Sequence, residues 1–217
     1  MSMLLFFHQF SGCSGIFPVL AIWYNFRHLD KIFKIIALFF VISFISDLTL
    51  LITISLGVRN NLPVINIFYI INIIFFGIIY YYAFFEPLLQ KMVAMLSAMV
   101  LLFAVYNLIF VNKLTDYPSA SNTALGAMSI IFSLIYFYQL LNRQEFIHIE
   151  KQGLFWFNSA VLFYFAINIF LFMLFQRLLA AHSTGSFVIH DFVNIIANFL
   201  YTFALLCRPQ KVAPERR

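Results

Sequence analysis

One carboxylate, Asp47, interrupts a run that is otherwise apolar from Ile32 to Ile54 (IFKIIALFFVISFISDLTLLITI). Further along the chain His190, Asp191, Asn194 and Asn198 recur at intervals of three and four, so a helix through them carries one polar side. Ser43 precedes Asp47 by four and shares its face, while Asn66, Tyr69 and Asn72 recur every three residues and sweep a broader face. In apolar surroundings these residue types bind by charge and hydrogen bonding. Asp47 can serve a ligand cation, a protonated histidine or an asparagine amide. An ionised side chain within hydrocarbon costs roughly 2.5–3.5 kcal/mol on insertion scales, so Asp47 is expected to face a protein interior or a wet cavity, with a partner.

The elements that must position these groups follow from composition. Of 217 residues 64% are hydrophobic, 10% are charged and 30 are Phe, a balance that would coat a soluble domain in apolar surface. Apolar stretches long enough to cross a hydrocarbon core of ~30 Å recur along the chain. Seven spans are expected, at Met3–Tyr24, Ile32–Ile54, Pro63–Phe85, Met92–Val111, Ala124–Leu141, Leu154–Phe175 and Phe187–Cys207. Short polar joints such as 59–63, Glu86-Pro87 and 115–118 fit antiparallel neighbours, and no linker divides the chain. The fold expected is an all-α polytopic bundle of seven transmembrane helices over residues 1–207, followed by a short basic tail, 208–217. Gly12, Gly15 and Pro18 make the first span the one most prone to bend. The aromatic clusters Tyr80-Tyr81-Tyr82, Tyr136-Phe137-Tyr138 and Phe155-Trp156-Phe157 are expected in the interfacial belt.

The net charge of +5 forms no patch interleaved with exposed aromatics, so nucleic acid is not an expected partner. It reports topology instead. Alternate joints and the tail hold Arg27, Lys31, Lys34, Lys91, Arg143, Lys151, Arg208, Lys211, Arg216 and Arg217, whereas the other side keeps Arg59, Lys113 and Arg177. The positive-inside rule then puts the N-terminus outside and the C-terminus in the cytoplasm. No basic residue precedes Arg27, so a cleaved signal peptide is not expected, and Cys13 and Cys207 fall at opposite membrane faces, too far apart for a disulfide. At ~1.5 Å per residue Asp47 lies in the outer half of the membrane, and so do Asn72, Asn107, Asn168, His190, Asp191 and Asn194, with Asn198 near the middle. These eight are the expected ligand-binding residues.

Several chemistries lack what they require. A retinal Schiff base needs a lysine inside a span, and the only candidate, Lys34, is at a span's end. The HExxH, P-loop and Gly-x-Ser-x-Gly motifs are missing. His8, His182, His190, Asp47 and Asp191 would be competent zinc ligands on one side, but no two histidines share a helix face. No catalytic residue, metal ligand or cofactor is therefore assigned. A metal-dependent lipid hydrolase, a small-solute transporter and a structural subunit of a membrane complex stay open beside a receptor.

Several blocks carry a family resemblance: Ser46-Asp47, Asn60-Asn61-Leu62-Pro63, Tyr106-Asn107-Leu108-Ile109-Phe110, Tyr136-Phe137-Tyr138, Leu154-Phe155-Trp156-Phe157-Asn158-Ser159 with Tyr164-Phe165, and Asn194 with Asn198. Together they make the chain resemble an uncharacterised family of bacterial seven-helix membrane proteins, some encoded beside, or fused to, sensor histidine kinases. The family pattern prefers Glu at Asp47 and an acidic residue at Asn72, so this chain keeps one carboxylate and lacks the other. The resemblance implies the bacterial inner membrane, a sensory role and a sensor kinase or other membrane protein as partner. Together with the polar residues gathered at one depth, it gives the leading expectation: a receptor-like protein with an outer-half pocket for a small or lipid-derived ligand, embedded in the lipid bilayer.

Overall fold

The computed structural model describes residues 3–58, 60–111, 114, 116–142, 149–180 and 184–207, and among these every regular element is helical. The helices are α1 (Met3–Ser14), α2 (Ile16–Asn25), α3 (Lys31–Ser55), α4 (Leu62–Ala83), α5 (Pro87–Tyr106), α6 (Ser119–Leu141), α7 (Gly153–Ala180) and α8 (Thr184–Leu206). Helix α5 continues as a π-turn, Asn107–Val111. Six of these, α3 to α8, are long and apolar enough to cross a membrane, the pattern of a multi-pass membrane protein. Arg59, Lys113, Arg143, His148, His182 and the basic tail lie outside the described residues.

The local chemistry explains where helices begin and break. The Asp30 carboxylate accepts from the Phe33 backbone N–H at 2.9 Å and caps α3. Pro63 and Pro87 sit in the first turns of α4 and α5, where a missing N–H costs nothing. Gly57, at φ 76°, takes the left-handed conformation just past α3 that only glycine adopts freely. The first expected span is interrupted between Ser14 and Ile16. Pro18 is the cause: it has no N–H for the Ser14 carbonyl four residues back, and its ring crowds that carbonyl. As expected from Gly12, Gly15 and Pro18, this is the bent segment. Its pieces of 12 and 10 residues are each too short to cross alone.

From α2 to α8 each helix packs on its neighbours in sequence, and α8 closes on α1 and α2 to complete a ring, with α4 also touching α6. Two glycines mark close approaches. A Cβ on Gly77 of α4 would fall 2.8 Å from Ser97 Oγ on α5, and one on Gly153 at the start of α7 would meet the Phe33 ring and the Ala204 carbonyl of α8. Aromatic residues make up 12 of the 30 buried core residues among the described residues; Phe76, Tyr80, Phe84, Phe132 and Phe157 are all buried, with Tyr80 and Phe132 centroids 5.1 Å apart. Tyr80, Tyr136 and Phe157 correct the interfacial expectation, since they turn into the protein while Tyr81, Tyr82 and Tyr138 are exposed. At α3 burial is confined to the first half, Phe33 to Phe40. Beyond Phe40 the helix carries Ser43 and Asp47 along a loosely covered stretch.

Candidate functional site

Between α3, α4, α6, α7 and α8 lies a cavity of about 110 Å³. Its floor is aromatic. Phe39 and Phe40 of α3, Phe76 of α4, Phe165 of α7 and Tyr201 of α8 form it, with Phe39–Phe76 and Phe76–Phe165 centroids 5.6 Å apart and Phe40–Tyr201 4.7 Å apart. On the side away from Asn25 these same helices then present Ser43, Asn72, Asn122, Tyr164, Asn194 and Asn198 as polar walls. The change from ring to amide occurs within about one turn on α4, from Phe76 to Asn72, and on α8, from Tyr201 to Asn198. That is why a floor and a polar wall form at common levels. Phe172 and Phe68 continue the wall toward the end of the bundle that carries His8.

Hydrogen bonds fix which way the wall amides point. The Asn72 Nδ2 donates to the Phe68 carbonyl of its own helix at 2.9 Å. Asn194 Nδ2 donates to the Ser11 carbonyl at 3.3 Å and to its hydroxyl at 3.1 Å, across to α1. The Ser14 hydroxyl spends its proton on the Ser11 carbonyl at 2.6 Å, so it can only accept from Asn198 Nδ2, at 2.7 Å. A carbonyl cannot donate, so in all three residues the nitrogen is the end that is engaged. The amide oxygens of Asn72, Asn194 and Asn198 accept no hydrogen bond among the described residues. The Tyr164, Tyr201 and Ser43 hydroxyls likewise have no partner among them. Asn122 Nδ2 donates to the Tyr69 and Tyr117 hydroxyls at 3.0 and 2.9 Å, tying α6 to α4.

The remaining expected residues stand around this wall. Asn168 is fully buried; its Nδ2 donates to the Tyr164 carbonyl at 2.9 Å, which turns its Oδ1 toward His190. His190 Nδ1 therefore donates to Asn168 at 2.9 Å, linking α8 to α7, and the imidazole stands between the Tyr164 and Phe172 rings, 5.9 and 6.2 Å away. Asp191 faces α1, its carboxylate 3.2 Å from His8 Nδ1, with His8 largely exposed. Asp47 lies one turn beyond Ser43 and is not among the lining residues. Its Oδ2 is 3.5 Å from where a Cβ would stand on Gly15, at the break between α1 and α2. The missing side chain of Gly15 makes that room.

The structure thus brings Asn72, Asn194 and Asn198 into one wall, places Asn168 and His190 beside it, and sets Asp191 against His8 of α1 and Asp47 beside Gly15 at the break. Asn107 shares their expected depth, yet α5 contributes nothing to the cavity. Asn107 is buried in the π-turn and donates to the Phe103 carbonyl at 3.1 Å. Sequence reasoning missed Asn122, Tyr164 and Tyr201 as wall residues and Ser11 and Ser14 as their supports. The signal was present in part, since Ser11 and Ser14 flank the bend in the first span.

Chemically, the wall offers acceptors, hydroxyls and ring faces, and among the described residues no His, Cys, Asp, Glu, Lys or Arg lines it. Nor do three side chains of His, Cys, Asp or Glu come together anywhere among those residues. The arrangement is equipped for recognition by hydrogen bonding and aromatic contact. Comparison with protein-family models, with curated proteins and with solved structures finds no match for this chain.

Proposed function

We propose that the chain is a receptor-like protein of the bacterial inner membrane. It would cross seven times, with α1 and α2 together as the first crossing, the N-terminus outside and the C-terminus in the cytoplasm. A small or lipid-derived ligand would occupy the cavity, and a cytoplasmic or membrane partner such as a sensor kinase would read out the occupancy. Topology is supported by charge: Arg27, Lys31, Lys34, Lys91 and Lys151 cluster at one end of the bundle and Arg177 lies at the other. The genomic company of the family that the chain resembles supports the sensory reading.

The observation that carries it is the link between the cavity wall and a broken helix. Asn194 and Asn198 line the cavity with one end of their amides and hold Ser11 and Ser14 with the other, at the proline-induced break. A ligand on the wall changes the geometry of these amides, and α1 is the element free to respond, because its hydrogen-bond ladder to α2 is already interrupted. A ligand that binds one arrangement of α1 better than another shifts the population by that difference in affinity.

The test is native mass spectrometry of the protein released from lipid nanodiscs. Asp47→Asn should insert and melt like the parent, because the change is isosteric, and should alter the occupancy of a co-purifying or added small molecule at least threefold. Retained occupancy in a normally folded variant makes the carboxylate scaffold only, and a cavity that takes up no small molecule removes the receptor reading.

A further inference from the structure

We infer that the cavity selects a ligand bearing a protonated primary amine; this rests on the receptor reading above and names the chemistry of its ligand. Three independent features of the wall point the same way. The amide nitrogens of Asn72, Asn194 and Asn198 are committed to Phe68, Ser11 and Ser14, so what remains to these side chains is acceptor oxygen. A ligand rich in donors satisfies such a wall. A carboxylate, a phosphate or another pure acceptor does not.

The second feature is the floor. Phe39, Phe76 and Phe165 meet edge to face and Tyr201 is tilted against Phe40, and aromatic faces attract a desolvated cation. The third is the charge around the site. No cationic side chain lines the cavity among the described residues, and the formal charge closest along α3 is Asp47, one turn beyond the lining Ser43. An ammonium group has three donors for the amide oxygens and a positive charge for the rings, and it is complementary to all three features. A quaternary ammonium would use the rings but leave the oxygens unsatisfied. A volume of about 110 Å³ limits the buried part of the ligand to about four or five heavy atoms, by comparison with a cavity of about 150 Å³ that holds benzene.

The ammonium can come from a free amine or from the headgroup of an aminophospholipid, and one experiment separates them. The protein is placed in nanodiscs of phosphatidylcholine, and the binding of n-butylamine, n-butanol and butyrate is measured by native mass spectrometry and thermal shift. The three probes share a chain and differ in head group. Butylamine is expected to bind at least about tenfold tighter than butanol, the worth of one charge-assisted hydrogen bond. Repeating the titration with phosphatidylethanolamine in the discs assigns the source: loss of butylamine binding means that the lipid headgroup takes the same site, and unchanged binding means that a free amine does. Asn72→Leu tests the wall cleanly, because its amide nitrogen bonds only its own helix. This variant should weaken butylamine about tenfold and butanol less, since butanol has one neutral donor to lose, whereas Asn72→Asp should tighten butylamine. Equal binding of butanol, preference for butyrate, or butylamine binding indifferent to both Asn72 variants overturns the amine inference while leaving a ligand pocket. If none of the probes binds and nothing co-purifies, both this inference and the receptor reading fall.

Discussion

The two halves of this bundle treat buried polar groups in opposite ways. Toward the end that carries Asn25, the Tyr80 hydroxyl donates to Asn158 Oδ1 at 2.8 Å and accepts from Ser133 at 2.7 Å, and Asn158 Nδ2 donates to the Leu154 carbonyl at 2.8 Å. Asn25 donates to the Leu205 carbonyl at 2.8 Å and seals α2 onto α8. Aromatic rings fill what is left. The exceptions toward that end include Gln139, buried beside a cleft of about 420 Å³ with both amide atoms unpartnered among the described residues, and Gln152, whose Nε2 is buried and unpartnered as well. Toward the His8 end the asparagines are as deeply placed, yet each wall amide keeps its oxygen in reserve beside an open space. A closed network with rings around it holds helices together. A network with spare acceptors and a broken helix beside it leaves hydrogen-bonding capacity facing a space, at a cost in stability.

Matched substitutions at the two levels test that contrast. The largest effect should come from the closed half: Phe157→Ala removes a ring that is 1% exposed and packed on Phe76 and Tyr201, and should destabilise by about 3–5 kcal/mol in thermal or denaturant unfolding in micelles. Asn158→Leu keeps the volume but strips the Tyr80 hydroxyl of its acceptor, and a loss of about 1–3 kcal/mol is expected in the same assay. Asn72→Leu, equally buried in the open half, should cost no more than about 0.5 kcal/mol, because no bond between helices is lost and a desolvated oxygen disappears with it. If Asn72→Leu proves as damaging as Asn158→Leu, the open half is interhelical glue and the contrast fails.

Much of the architecture was legible because lipid imposes a composition. Runs of some twenty apolar residues, breakers between them, and the interruption foretold by Gly12, Gly15 and Pro18 all appear as helices, joints and a break. The site was legible in depth and in periodicity. The stripe on α8 does put Asn194 and Asn198 on the cavity, with His190 against the wall residues Tyr164 and Phe172, while Asp191 turns to His8 of α1. Rotation about the helix axis was not legible for the others. Asn107 and Asn72 have the same expected height, but only α4 turns that height toward the cavity. Tyr80 and Tyr136 stand toward helix ends where an aromatic ring suits a headgroup equally well, yet both are buried, Tyr80 through its contacts with Phe132 and Ser133 of α6 and Asn158 of α7.

What the sequence determined by itself is the membrane class and the level at which polar chemistry sits, since both depend on which residues the chain spends on hydrocarbon and how far apart they lie. The tertiary structure decided which atoms of those residues remain to bind. Ser11 and Ser14 lie some 180 residues from Asn194 and Asn198, and nothing local announces that their oxygens will claim the amide nitrogens. That claim needs α8 to close the ring on α1, and closure is a property of how all the helices pack.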